Sequence, residues 1–426
     1  MSSGAVFALG VGLLLAAWWA ARVGLEQLNR RHALAHAGAA PEEFRHVMDA
    51  ATYARSVQYT LAQGRFEQVA ATVDAVVRLG ALFSPALPWG YRVWTAGLGE
   101  SAWSVGAFLL AAGGALSLFG LPLDWYHQFR LEQRFGFNTT TPRLWWADRA
   151  RGLLLAAALG YPLVVLVLGL MAWAGAGWWV WAWGAWLGFQ VLLQGLAPVL
   201  ILPLFNRFTP LPAGPLRERL LRLAARTRFR ARAIQVMDGS KRSRHSNAFF
   251  TGFGRFRKIV LYDTLVEQLT APELEAVLAH EIGHYRMRHL PKLLLGSAAG
   301  ALAGFWLLAW LAGRAWFYEG FGFAPGHPGP TLLLFGLLAG VAGFWLAPLW
   351  RGWSRRCEYQ ADAFAAAAVG GPEPLLGALR QLAEKNLSNL TPHPCYRRFY
   401  YSHPTLRERE RALAARGAPA AAGFGL

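Results

Sequence analysis

Cysteine is almost missing: Cys357 and Cys395 are the only two in 426 residues. Two thiols build neither a disulfide framework nor a thiolate zinc site. Charge is scarce as well. Asp, Glu, Lys and Arg make up 15% of the chain, against roughly 25% in soluble proteins. That scarcity excludes the two or three soluble domains that a chain of this length would otherwise hold. Between Gly152 and Gln190 there is no charged residue, and the core of the first segment, Ala5 to Ala21, has none either. A bilayer core about 30 Å thick needs roughly 20 helical residues per crossing. The 152–190 stretch therefore holds two spans, turning near Gly175–Gly177.

The N-terminal segment lacks a basic n-region, and Trp18 and Trp19 stand where a small-residue cleavage site would be wanted, so it reads as a retained span. Acidic residues are also few, 24 against 42 basic ones, for a net charge of +18. Basic loops flanking apolar spans account for that excess. The bilayer is the expected partner and nucleic acid is not.

Seven spans are expected, near 4–24, 69–96, 102–122, 152–174, 178–204, 290–313 and 330–350. In the second, Asp74, Arg78 and Arg92 interrupt the run and Pro85 and Pro88 kink it. Assigning 25–68, 123–151, 205–289 and the tail after 350 to one side gathers 37 of the 42 basic residues there. The positive-inside rule makes that side cytoplasmic and puts the N-terminus outside. Arginine outnumbers lysine 38 to 4, which fits a GC-rich bacterial genome and hence a bacterial inner membrane.

The expected division is a membrane region of five helices over 1–204, a cytoplasmic domain over 205–289, helices six and seven over 290–350, a continuation of the cytoplasmic domain over 351–416, and a disordered tail over 417–426. Within 205–289, Pro210–Pro215 is a linker and Leu216–Arg228 has helical spacing. Ala233–Met237 and Lys258–Tyr262 read as short strands.

Chemistry concentrates after Thr270. Thr270-Ala-Pro-Glu273 is a capping box with an early proline, and the helix it starts is expected to run to about His289. His280 and His284 are four residues apart, about 40° round the axis, so both imidazoles project from one face and can share a zinc ion. Glu281 lies about 100° round from His280, placed to act as a general base without ligating. With 11 His and 17 Glu in 426 residues, His-Glu-x-x-His arises by chance in roughly one such chain per hundred.

A catalytic zinc takes a third protein ligand and keeps one position open. Glu358 and Asp362, again four apart, suit that need: Glu358 as ligand, Asp362 orienting a ligating histidine. Without a cation between them the pair would be mildly repulsive. His403 is a candidate donor to a developing oxyanion. His289 fits equally a place behind the ligands or a basic helix end, and His245 and His393 read as loop residues. Cys357 reads as a packed small residue.

These residues resemble the type I CAAX prenyl proteases, integral-membrane metallopeptidases of the gluzincin type. The similarity runs from Leu121 nearly to Arg411. It includes Glu132-Gln-Arg-Phe-Gly-Phe-Asn, Leu202-Pro-Leu-Phe-Asn-Arg-Phe-Thr-Pro-Leu, Gly239-Ser-Lys-Arg-Ser-Arg-His-Ser-Asn-Ala-Phe-Phe, Ile259-Val-Leu-Tyr-Asp-Thr-Leu, His280–His284, Glu358–Asp362 and Ser402-His-Pro. The resemblance implies an all-α polytopic fold, seven helices enclosing a chamber, with a cytoplasmic zinc-protease domain that contains a small β element. It implies one zinc ion on His280, His284 and Glu358, Glu281 as general base, Asp362 behind a ligand and His403 assisting the oxyanion or positioning substrate. It also implies that the segment around Asn247 and Ala248 pairs with the backbone of an extended substrate.

The function so implied is a zinc metalloendopeptidase that cleaves extended cytoplasmic or juxtamembrane segments, removing C-terminal residues after a lipidated Cys. Its partner is a peptide or protein, lipidated in that case. One alternative keeps the chemistry for broad quality control of membrane proteins. The other is a transporter with a structural zinc; that reading expects repeat symmetry and charges on several spans, and the sequence offers no repeat.

The orientation is testable by labelling intact cells with a membrane-impermeant maleimide, after replacing Cys357 and Cys395. A cysteine at Gly326 should label from outside, and one at Ser240 only after lysis. Labelling of Ser240→Cys in intact cells would invert the topology.

Overall fold

The computed structural model describes residues 1–229, 233–251 and 258–416; the expected disordered tail at 417–426 lies outside them. Four helices are each long and apolar enough to cross a bilayer: α1 (Ser3–Ala35), α6 (Pro142–Trp173), α7 (Gly175–Phe205) and α10 (His289–Ala312). Among the described residues three bent helix pairs pass the same test together, which brings the number to as many as seven if each pair is one span. They are α2 (Ala50–Phe83) with α3 (Ala86–Leu98), α4 (Ala102–Leu118) with α5 (Leu121–Phe135), and α11 (Pro328–Phe344) with α12 (Ala347–Val369), bent by 54°, 47° and 59°. Each break precedes a proline. Ser84, ahead of Pro85, is extended at φ −93°, ψ 158°, as a residue before proline prefers. Pro122 and Pro348 sit in the first turns of their helices, where the missing N–H costs nothing.

Several helices outrun the expected spans. α1 continues past residue 24 to Ala35, and α2 begins at Ala50 and not near 69. At 1.5 Å per residue α2 is about 50 Å long, longer than the bilayer core, so one end projects beyond it. Two of the charges that interrupt the second span, Asp74 and Arg78, satisfy one another. Asp74 accepts from Arg22 (3.2 Å) and Arg78 (2.9 Å), and Arg78 also donates to the Leu337 carbonyl at 2.6 Å. Both guanidinium groups lie over Trp18.

A small sheet follows the fifth span. Strands β1 (Phe208–Pro210), β2 (Ala233–Met237), β3 (Ala248–Thr251) and β4 (Lys258–Tyr262) lie in the order β1-β2-β4-β3. β2 and β4 are parallel, and the two outer pairings are antiparallel. β2 and β4 fall on the two short runs expected as strands; β1 and β3 are too short to announce themselves. Helix α8 (Pro215–Arg226) adds Leu220 and Leu223, both fully buried, to the core that also takes Ile234 of β2 and Ile259 of β4.

Helix α9 (Ala271–Arg286) is central. Its capping box is formed: the Thr270 N–H donates to Glu273 at 2.9 Å. It stops three residues short of the expected end because Arg288 turns left-handed at φ 55°, ψ 40°. Leu274, Leu278 and Ile282 enter the core with Phe364 of α12, Leu375 of α13 (Glu373–Lys385) and Ile259 of β4.

α9 meets α12 at Gly283. A Cβ there would lie 3.1 and 3.2 Å from Cα and O of Ala361 and 3.2 Å from Cβ of Phe364. Two of these are backbone atoms, so the helices would have to part. Gly283→Ala should therefore lower the thermal midpoint despite the helix propensity it gains, with overpacking costing about 1–3 kcal/mol. Gly352→Ala, on α12 with nothing nearer than 3.9 Å, should not. Equal midpoints for the two variants would mean that the close approach is not needed.

Candidate metal centre

α9 and α12 bring together three residues that stand far apart in sequence. Ligand atoms of His280, His284 and Glu358 lie within 4.8 Å of one another. The two Nε2 atoms are 3.1 Å apart, and each is 3.4 Å from one oxygen of Glu358. Glu358 and His280 are buried and His284 is half-buried.

Glu358 Oε2 is buried and makes no hydrogen bond among the described residues. A buried carboxylate oxygen left without a partner is destabilising by a few kcal/mol, and a divalent cation at this point removes the deficit. The electrostatics agree. Burial and the neighbouring His280 push His284 down to about 3, so its imidazole is neutral and keeps a lone pair. Burial alone would lower His280, but the Asp362 carboxylate that accepts from it, with the negative charge of Glu358 close by, pushes it up to about 9; the cluster favours positive charge. Two imidazoles and one carboxylate also match a catalytic zinc.

Behind His280, Asp362 Oδ1 lies 2.8 Å from Nδ1. Asp362 is itself gripped by both arms of Arg409, with Nε donating to Oδ2 at 2.8 Å and the second guanidinium nitrogen to Oδ1. Arg409 comes from helix α15 (Leu406–Arg416) and is only 8% exposed. Sequence reasoning missed it, since α15 carries four arginines and no local pattern distinguishes the one that turns inward. Behind His284 lies His289, fully buried at the start of α10.

Glu281 is half-buried, and burial, reinforced by Glu358, pushes its carboxyl up to about 7. That value suits a group which must both take and give a proton near neutrality. His403 reaches the cluster from a loop: its Nε2 is 3.5 Å from Glu358 Oε1, and its Nδ1 is 3.0 Å from Ser402 Oγ. It is exposed, at the rim of a cavity of about 570 Å³ that Asn386, Tyr401, Ser402 and Arg409 also line.

Asn247 and Ala248 lie at the outer edge of the sheet. Asn247 O accepts from the Tyr262 N–H at 3.1 Å, and Ala248 opens β3. β3 packs against α9, and its other edge carries no strand among the described residues. An extended chain can add there. His245 and His393 are not idle loop residues. His245 stacks on Phe137 and bridges Glu132 (3.3 Å) and Asn386 (3.0 Å); His393 caps helix α14 (Pro394–Tyr400).

Residues 29–207 match the family described as "CAAX prenyl protease N-terminal, five membrane helices", and residues 210–417 match peptidase family M48. The CAAX prenyl protease 1 homolog of Oryza sativa subsp. japonica is 32% identical over 396 residues, spanning 90% of this chain and 92% of that protein. CAAX prenyl protease 1 of Saccharomyces cerevisiae is 38% identical over 322 residues, covering 72% and 71%. The crystal structure of S. mikatae Ste24p superposes with a TM-score of 0.90 at 30% identity, covering 97% of this chain and 99% of that one.

Removing the two carboxylates should have different effects. Glu358→Ala should abolish stable zinc binding. Asp362→Ala should weaken it about 10–100-fold and also destabilise the fold, because Arg409 would be left buried and unpaired. Zinc content measured on folded protein decides the point. Full occupancy in Glu358→Ala would move the third ligand elsewhere, with His403 next in reach.

Proposed function

This chain belongs to the CAAX prenyl proteases of peptidase family M48, and on that premise we propose that it cuts extended C-terminal segments next to a lipidated cysteine, using His280, His284 and Glu358 to hold zinc. It is a multi-pass membrane metallopeptidase. The observation that carries the site assignment is the convergence of two imidazoles and a buried, under-bonded carboxylate beside Glu281. The transporter reading is not favoured by a family whose members are peptidases.

Zinc at this position supplies Lewis acidity toward a carbonyl and makes water a better acid. The residues of the chain do the rest. An extended peptide lies against the open edge of β3 at Asn247 and Ala248, held by main-chain hydrogen bonds that tolerate varied side chains. Glu281 takes a proton from the water that attacks the scissile carbonyl carbon. A C–O bond forms, the C–N bond breaks, and the same proton passes from Glu281 to the leaving amine. His403, at the rim, donates to the oxygen on which negative charge develops.

A prenylated substrate is supported by the names of the relatives, which the chain matches over most of their length. A lipid anchor keeps the segment at the membrane, at roughly 0.8 kcal/mol per buried CH₂. The basic loops support a cytoplasmic active site, and the excess of arginine over lysine supports a bacterial membrane.

The test is incubation of the purified protein with a prenylated CAAX peptide. A single cut after the modified cysteine is expected, lost with a chelator and regained with zinc. Glu281→Gln should keep its zinc while turnover falls about 10²–10⁴-fold. Cutting that survives chelation would overturn the reading, and cuts scattered over unmodified membrane proteins would shift it to quality control.

A further inference from the structure

The two histidines of the zinc site are backed by different chemistry. Behind His280 stands a carboxylate, Asp362, held by Arg409. Among the described residues no carboxylate backs His284; its Nδ1 lies 3.0 Å from Nδ1 of His289, whose Nε2 lies 2.9 Å from Gln360 Oε1. The backbone produces this contact. Arg288 is left-handed between α9 and α10, and this single turn folds His289 back beneath His284, five residues earlier, where it is 1% exposed. Gln360 sits on α12 two residues from both Glu358 and Asp362, so the same pair of helices that gathers the ligands also delivers this contact.

Hydrogen-bond direction along the row follows from one condition. The Nε2 of His284 faces Glu358 and His280, so it is the ligating atom and must be free of hydrogen. A neutral imidazole then carries its hydrogen on Nδ1 and donates it to Nδ1 of His289. His289 must accept there, so its own hydrogen is on Nε2, donated to Gln360 Oε1. Every donor meets an acceptor, and only one arrangement of the row works.

Resting on the zinc assignment made above, we propose that His289 and Gln360 form a neutral relay that fixes the tautomer and ring orientation of His284, and that both are positioning residues for the metal. Groups of this kind conventionally include carboxylates, carbonyls and water; here an imidazole and an amide take that part. The consequence is an asymmetric site, with His280 backed by a buried ion pair and His284 by uncharged groups.

The experiment measures zinc affinity of the purified full-length protein by competition with a chromophoric chelator, and the visible spectrum after cobalt replacement. Wild-type protein that binds no zinc would sink the parent assignment and is read first. Given wild-type binding, His289→Ala and Gln360→Met should each weaken zinc about 10–100-fold and alter the cobalt bands. Gln360→Glu, which keeps an oxygen acceptor for His289, should retain affinity. Chelated samples of the two Gln360 variants should melt together, so that their difference is not one of folding. Should His289→Ala not fold, the Gln360 pair carries the test alone. Wild-type affinity and cobalt bands in Gln360→Met would overturn the proposal, as would equal weakening in Gln360→Met and Gln360→Glu, since packing and not the acceptor would then matter.

Discussion

The contact of Gly283 with the backbone of Ala361 sets the distance between α9 and α12, and the metal site depends on that distance. His280 and His284 are supplied by one helix and Glu358 by the other, with Gln360 two residues and Asp362 four residues further along it. A separation larger by even one methyl group would carry the carboxylate away from the imidazoles. Close-packed interiors transmit such displacements because they cannot absorb them. The core around Leu274, Leu278, Ile282 and Phe364 is therefore as much part of the candidate site as His280, His284 and Glu358 are.

Charge is handled by the same logic throughout. A buried carboxylate costs several kcal/mol unless paired, and each one near the candidate metal centre has a defined counterpart or function. Asp362 has Arg409 and His280. Glu358 faces the place where a cation fits. Glu281 is raised toward neutrality and can exchange a proton. Among the spans, Asp74 is answered by Arg22 and Arg78, so a charged cluster can persist where the flanking sequence is apolar.

Much of this was legible locally. The spans announce themselves because a bilayer demands about 20 apolar residues in a row. α9 was readable from its capping box and from the i, i+4 histidines, since helical periodicity fixes which side chains share a face. β2 and β4 were readable as short apolar runs on either side of a polar stretch. The misreadings are of a different kind. α1 and α2 outrun their spans because a helix does not end where a membrane ends, and α9 ends early because a left-handed residue other than glycine has no sequence signature. β3 is four residues long and exists by virtue of pairing with β4.

What the sequence determined by itself is therefore what depends on neighbours along the chain: membrane class, helix periodicity, the paired histidines with their adjacent glutamate, and the two acidic residues four apart. Which groups meet across the fold was left to tertiary structure. That Arg409, out of four arginines on its helix, grips Asp362, that His289 folds back on His284, and that His245 joins Glu132 to Asn386 all follow from helix crossings and one unusual turn. Contacts between residues 47 or 141 positions apart are decided by the packing of whole helices, and a single sequence carries no local trace of how whole helices pack.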